Sequence, residues 1–257
     1  MVIRRNIWYP PAWEERTLHI WLPDNYDNTD ERYPVLYFFD GHNLFYDYDA
    51  TYGKSWGLKE FLESWPKQII VVGMECSHTG NDRLREYCPY RKRMFGEVID
   101  GIGDQTFEWI VNDIKPMIDS EYRTWPHREA TGIAGSSMGG IMAMHGALTW
   151  NRYFSKAAAV SAGVFHNLSN YRKDLYQAEL CPDTRIFISW GEHEAGRAPH
   201  SGNPATDTRE ARSAHKFSVE LREKGIDSYT FFQPKGRHCE ADWEKQVPFF
   251  MHYLWLD

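Results

Sequence analysis

Short runs of consecutive apolar residues alternate along this chain with longer stretches in which apolar residues recur every three or four positions. Continuous apolar runs are typical of strands covered on both faces, and the longer spacing is typical of helices. The predicted strands are Thr17–Leu22, Val35–Phe39, Ile69–Val72, Thr131–Ala134, Ala157–Val160, Arg185–Trp190 and Tyr229–Phe232. The predicted helices are Trp56–Trp65, Phe107–Ile118, Met138–Leu148, Asp207–Lys224 and Trp243–Trp255.

This alternation predicts the α/β class, with a mostly parallel, doubly wound sheet and helices on both faces. Only the first strand, Thr17–Leu22, alternates between apolar and polar positions, which indicates an antiparallel strand. Asp207 and Glu210 form a capping-box pattern at the start of the fourth predicted helix, and Gly225 marks its end. No repeat, linker or insertion long enough for a lid domain interrupts the pattern. We therefore expect one domain over residues 1–257, with functional groups at the carboxyl ends of the strands.

Charge and cysteine content narrow the classes of function. The chain carries 29 Lys+Arg and 36 Asp+Glu, a net charge of −7, which disfavours nucleic acid and anionic membranes as partners. No apolar run approaches the ~18 residues of a membrane span, and no apolar stretch of the signal-peptide kind follows Arg4 and Arg5. The four cysteines fit neither a disulfide framework nor a CxxC metal site. We expect a cytoplasmic protein with reduced thiols.

The most informative motif is Gly135–Gly139, which reads G-S-S-M-G and matches G-x-S-x-G with Ser137 at its centre. It follows a predicted strand and precedes a predicted helix, the context in which this motif carries a nucleophilic serine. Small residues are needed around the serine because the chain turns tightly there. The N-terminus of the following helix favours developing negative charge. These features predict Ser137 as a nucleophile.

A nucleophilic serine needs a base and an acid that orients the base, and in this architecture they follow in the order Ser, Asp or Glu, His. His238 lies between the last predicted strand and the last predicted helix, where the base belongs. Glu194 follows the preceding strand and is the favoured acid, with Glu192 and Asp207 as alternatives. His193 adjoins these acids but precedes the penultimate helix.

Stabilising an oxyanion requires two backbone N–H donors. Met138, the residue after the nucleophile, is expected to supply one. The other is expected from His42, in the loop after the Val35–Phe39 strand, where Gly41 permits a sharp turn. The His42 imidazole needs no chemical part in this role.

With these residues in place, the chain resembles the putative-esterase family of α/β hydrolases. This family includes esterase D, feruloyl and acetyl-xylan esterases, enterochelin-type siderophore esterases and mycolyltransferases. The matching segments are Val35–Phe45, Tyr52–Leu58, Arg85–Tyr90, Gly132–Gly140, Gly191–Glu194 and Gly236–Trp243. The resemblance implies Ser137 as nucleophile, Glu194 as acid and His238 as base. Many members carry Asp where Glu194 stands here.

The resemblance also bears on substrate contacts, since Trp56 matches a tryptophan close to the site in relatives. The predicted walls of the cleft are Glu75–Gly103, Gly163–Cys181 and Ala195–Thr206. Five side chains in these walls are expected either to contact the substrate or to pack the loops. They are Tyr87, Tyr90, Arg91, Phe95 and Phe165. Tyr90 and Arg91 are taken with Trp56 as the substrate-binding candidates.

The resulting hypothesis is a serine carboxylesterase acting on short-chain or aromatic acyl esters, including esters of carbohydrates. Its partner is a small-molecule ester, and the chemistry needs neither a metal nor an organic cofactor. Acyl transfer by the same residues and hydrolysis of a siderophore trilactone are the alternatives within the family. A non-catalytic binding protein is disfavoured because both the serine and the histidine are present. The sequence leaves the natural ester and the oligomeric state open.

Overall fold

The computed structural model describes residues 1–94, 96–196 and 202–256. The chain forms two compact units, Met1–Gly132 and Ile133–Asp257. Among the described residues, no helix combines the length and the apolar character needed to cross a membrane. The thiols of Cys76 and Cys88 are buried, Cys239 is partly exposed, and Cys181 is exposed.

Four strands of the first unit lie side by side in the order β1-β2-β4-β3. They are β1 (Val2–Tyr9), β2 (Glu14–Trp21), β3 (Val35–Phe39) and β4 (Ile70–Met74). The β1–β2 and β2–β4 pairs are antiparallel, and β3 and β4 are parallel. Every residue of β3 and β4 is buried, as expected from their continuous apolar runs.

The helices of this unit are α1 (Leu58–Ser64), α2 (Asp82–Glu86), α3 (Gly103–Trp109) and α4 (Lys115–Glu121). A π-helical segment, Ile110–Ile114, joins α3 to α4, so the predicted helix Phe107–Ile118 is not regular throughout. Pro116 follows this segment, and its missing N–H interrupts the regular hydrogen-bond ladder. A short hairpin, β5 (Arg91–Met94) with β6 (Glu97–Asp100), was not predicted.

The strands of the second unit are β7 (Thr131–Ser136), β8 (Lys156–Val160), β9 (Arg185–Gly191) and β10 (Asp227–Gln233). They follow one another in that order, and β8, β9 and β10 are parallel. The helices are α5 (Met138–Thr149), α6 (Val164–Gln177), α7 (Arg209–Glu223), α8 (Glu240–Trp243) and α9 (Val247–Trp255). The carboxyl ends of parallel strands meet at one edge, and this edge carries the candidate site.

The predicted capping box of α7 is wrong. Thr208, not Asp207, is the N-cap, and its hydroxyl accepts the Ala211 N–H at 3.1 Å. Glu210 is unavailable for a capping box because its carboxylate accepts the N–H groups of Val164 and Phe165 at the start of α6. A tertiary contact therefore replaces the local one.

Candidate active site

Ser137 lies between the last residue of β7 and the first residue of α5. Its backbone has φ 56° and ψ −117°, an unusual conformation for a residue with a side chain. The Ser137 N–H donates to the carbonyl of Val160 at 2.9 Å, which fixes the turn against β8. The strand–turn–helix context predicted for this serine is thus present.

Gly135 in the motif and Gly140 directly after it are required by close backbone approaches. A Cβ added at Gly135 would lie 2.6 Å from the carbonyl carbon of Gly139. One added at Gly140 would lie 2.6 Å from the carbonyl oxygen of Val160. Both distances are below any van der Waals contact, so a side chain at either position would displace the turn that holds Ser137.

Glu194 and His238 are in direct contact. Nδ1 of His238 is hydrogen-bonded to Oε2 of Glu194. The other carboxylate oxygen of Glu194 accepts the Gly191 N–H and the Ser161 hydroxyl, each at 2.5 Å. The Glu194 side chain is 13% exposed, whereas that of His238 is 47% exposed. A partly buried carboxylate with three hydrogen-bond partners therefore orients an accessible imidazole.

The Ser161–Trp243 pair supports this carboxylate and was not predicted. The indole N–H of Trp243 donates to Oγ of Ser161 at 3.0 Å, and Ser161 in turn donates to Glu194. The Trp243 ring also meets the His238 ring edge to face, with centroids 4.9 Å apart. Ser161 follows β8 with a φ of 47°. No sequence motif marks either residue, because the connection exists only in the folded chain.

The two alternative acids are engaged elsewhere. Oε2 of Glu192 accepts the backbone N–H of Lys235 at 2.8 Å. Oδ2 of Asp207 accepts the N–H of Asn203 at 2.7 Å. Of the three candidates, Glu194 is the one in contact with His238.

Met138 and His42, the expected oxyanion donors, each lie shortly after a strand, and their role stays a prediction. Met138 is the first residue of α5 and is 4% exposed. His42 lies in a 3-10 turn, Gly41–Asn43, directly after β3. A Cβ on Gly41 would lie 2.4 Å from the carbonyl carbon of Gly73, so this turn requires glycine.

An ion pair between a buried carboxylate and a partly exposed guanidinium holds the start of the His42 turn. Asp40 has a φ of 59° and accepts from Nε and Nη2 of Arg83 at 2.7 and 2.8 Å. Burial alone would raise the pKa of the Asp40 carboxyl, but the Arg83 guanidinium outweighs it and lowers the pKa below its ordinary value. Burial lowers the pKa of His42 and favours its neutral imidazole.

A pocket of about 620 Å³ lies beside Glu194 and His238. Its other described walls include Phe165, His166, Trp190, Arg209 and Glu210. Because the Glu210 carboxylate binds the first N–H groups of α6, it fixes the wall that carries Phe165. Burial raises the pKa of Glu210.

The residues predicted to contact substrate differ in burial and in the side chains that they pack against. Trp56 is 1% exposed and packs edge to face on Phe38, with ring centroids 5.1 Å apart. Tyr87 is buried, and its hydroxyl donates to the carbonyl of Met74. The loop-packing alternative therefore describes Tyr87, while Phe165 lines the pocket.

Tyr90 and Arg91 lie at the start of the β5–β6 hairpin in the first unit. Arg91 pairs with Asp100 across the hairpin at 3.1 Å, and both side chains are largely exposed. The carbonyl of Tyr90 accepts from the Cys88 thiol. Their part in substrate binding stays a prediction, and Phe95 lies outside the described residues.

Residues 13–250 match the model of the family described as "Putative esterase". The chain belongs to this family. It is 24% identical to the uncharacterized protein YbbA of Bacillus subtilis over 215 residues, 82% of this chain and 80% of that protein. Its membership of the esterase family shows that it hydrolyses carboxylic esters.

Solved structures show the same fold. An IroE-like serine hydrolase from Shewanella oneidensis superposes with a TM-score of 0.74 at 19% identity, over 98% of this chain and 79% of that one. A ferulic acid esterase superposes with a TM-score of 0.62 at 17% identity, over 99% of this chain and 96% of that one. These likenesses confirm the predicted α/β-hydrolase fold.

Proposed function

We propose that this esterase cleaves short-chain or aromatic acyl esters through a Ser137–His238–Glu194 triad and an acyl-enzyme. The observation that carries the proposal is the contact between Nδ1 of His238 and the Glu194 carboxylate. It leaves Nε2 of the imidazole to take a proton from a serine. Ser137 supplies that serine on a turn whose conformation and glycine requirement match those of a nucleophile elbow.

In the proposed reaction, each step is assigned to a residue of this chain. His238 takes the Ser137 proton as Oγ attacks the ester carbonyl, and Glu194 stabilises the imidazolium that forms. The N–H groups of Met138 and His42 donate to the oxyanion. The imidazolium then protonates the leaving alcohol, and a water molecule activated by His238 releases the acid from Ser137.

The pocket beside His238 supports an aromatic or carbohydrate-like group on the ester. Phe165, which is 39% exposed, offers aromatic surface there, and the buried Trp190 also lines the pocket. Arg209 lies over the Phe165 ring, with its guanidinium carbon 5.6 Å from the ring centroid, and brings hydrogen-bond donors to the same wall. Mixed apolar and polar walls suit a ring that carries hydroxyl groups. The fold likeness to a ferulic acid esterase agrees with this substrate class.

Hydrolysis of p-nitrophenyl acetate and methyl ferulate by the wild type and by Ser137→Ala tests the proposal. The wild type is expected to turn over at least one ester, and Ser137→Ala is expected to lose several orders of magnitude in kcat. The ratio of the two rates measures the preference for aromatic over small acyl groups. A Ser137→Ala variant as active as the wild type would refute the nucleophile assignment. A preserved rate on the acetate ester with none on ferulate would limit the substrate class to short acyl groups.

A further inference from the structure

Four ionisable side chains lie close together in the first unit, in or after three of its strands. His42 follows β3, Glu75 follows β4, His78 lies three residues further on, and His19 belongs to β2. Because β3 and β4 are parallel neighbours, their carboxyl ends place His42 and Glu75 close together. One potential ligand atom from each of His42, Glu75 and His78 lies within 4.8 Å of the others.

His42 has an unused buried nitrogen. The residue is 7% exposed, and its Nε2 is hydrogen-bonded to the Thr51 hydroxyl at 2.9 Å. Its Nδ1 is buried and has no hydrogen-bond partner among the described residues. A buried polar atom without a partner is costly and calls for an explanation. A bound ion at Nδ1 would supply the missing partner.

The other groups have the geometry of a metal site and its support. Nε2 of His78 lies 3.2 Å from one Glu75 oxygen, and Nε2 of His19 lies 2.6 Å from the other. In metal sites, hydrogen bonds between histidines and carboxylates commonly orient the side chains that bind the metal. The rings of His42 and His78 meet edge to face, with centroids 4.6 Å apart.

We propose that His42, Glu75 and His78 bind a divalent transition-metal ion, with Zn²⁺ as the type case, and that His19 orients Glu75. Two imidazoles and one carboxylate are a ligand set that Zn²⁺ prefers, with water in the fourth position. Zn–N and Zn–O bonds of about 2.0–2.2 Å require the ligand atoms to close to roughly 3.3–3.5 Å. The side chain of His78 is 58% exposed, so it is the ligand free to move inwards.

Zinc binding by chelator-stripped protein tests the site, and the measurement needs no esterase activity. Zn²⁺ is titrated in competition with a chromophoric chelator against the wild type, His78→Gln and His127→Gln. His127 is the matched control, because it is also an exposed histidine beside a glutamate, with its Nδ1 3.3 Å from Glu129. Within the described chain it belongs to no group of three potential metal ligands. Melting curves in chelator establish that the variants are folded, which the exposure of both histidines favours.

The wild type is expected to bind one equivalent of Zn²⁺, and His78→Gln to bind it at least about 10-fold more weakly. His127→Gln is expected to match the wild type. Zn²⁺ should also raise the melting temperature of the wild type more than that of His78→Gln, because an ion bound only by the folded state stabilises it. Equal affinities of the wild type and His78→Gln, an equal loss in His127→Gln, or no binding by the wild type would each overturn the proposal.

Discussion

The hydroxyl of Ser161 is predicted to hold Glu194 in its working position. Oγ of Ser161 donates to Glu194 and accepts from the Trp243 indole, so Ser161→Ala removes both hydrogen bonds while keeping Cβ. Glu194 keeps the Gly191 N–H and the His238 ring as partners. We therefore expect a positioning defect and not a complete loss of the acid.

The magnitude follows from the two contacts. A hydrogen bond to a charged group contributes about 1.5–3 kcal/mol, and a buried donor left unpaired costs a further ~1–3 kcal/mol. Since such terms are not additive, we expect a net loss of about 3 kcal/mol in the free energy of unfolding. In a chain of this size that lowers Tm by roughly 6–12 °C. A looser Glu194 is expected to lower kcat about tenfold, equivalent to about 1.4 kcal/mol in the barrier.

Thermal melting and steady-state hydrolysis of p-nitrophenyl acetate at 25 °C measure the two effects separately. Ser218→Ala is the matched control, since Ser218 is 1% exposed and its hydroxyl contacts Ser228 and Arg222, both outside the candidate site. It should lower Tm comparably and leave kcat unchanged. Wild-type kcat in Ser161→Ala, with a loss of Tm like that of the control, would refute the positioning role.

Four further substitutions test other parts of the same structure. Glu194→Gln should lower kcat by about 10³–10⁴-fold, whereas Glu192→Gln should change it little; equal effects on hydrolysis would contradict the choice of acid. Arg83→Gln leaves the Asp40 carboxylate buried and unpaired, which should cost about 3 kcal/mol in urea unfolding at pH 7. Because the pKa of Asp40 is lowered in the folded protein, the ion pair stabilises the wild type above pH ~4, and this stabilisation is lost as the pH falls through the lowered pKa. The urea unfolding curves of the wild type and Arg83→Gln should therefore converge in acid. Gly140→Ala should abolish hydrolysis or folding, because its methyl group meets a β8 carbonyl at 2.6 Å.

Much of the second unit is predictable because its local signals agree with its fold. The run Val35–Phe39 in the first unit is predicted to the residue for the same reason, since Pro34 and Asp40 bound an uninterrupted apolar segment. The elbow around Ser137 is equally predictable, because Gly135 is required by a backbone contact with Gly139 within the motif itself. In both cases neighbouring residues along the chain carry the physical constraint.

The unpredicted elements depend on distant partners. β1 alternates imperfectly and one of its eight residues is buried, so its apolar pattern is weak. It is a strand because β2 pairs with it. Helix α6 has few apolar residues, and its first N–H groups are satisfied by Glu210 from another helix. Ser161 and Trp243 reach Glu194 only after β8, β9 and the last loop have come together.

Labelling with a fluorophosphonate tests whether Ser137 is the nucleophile, because this reagent forms a covalent bond only with an activated serine. The protein is incubated with the probe, digested and mapped by mass spectrometry, with Ser137→Ala and His238→Ala in parallel. We expect one adduct, on Ser137, that is absent from Ser137→Ala and strongly reduced in His238→Ala. An adduct on another serine, or undiminished labelling of Ser137→Ala, would contradict it.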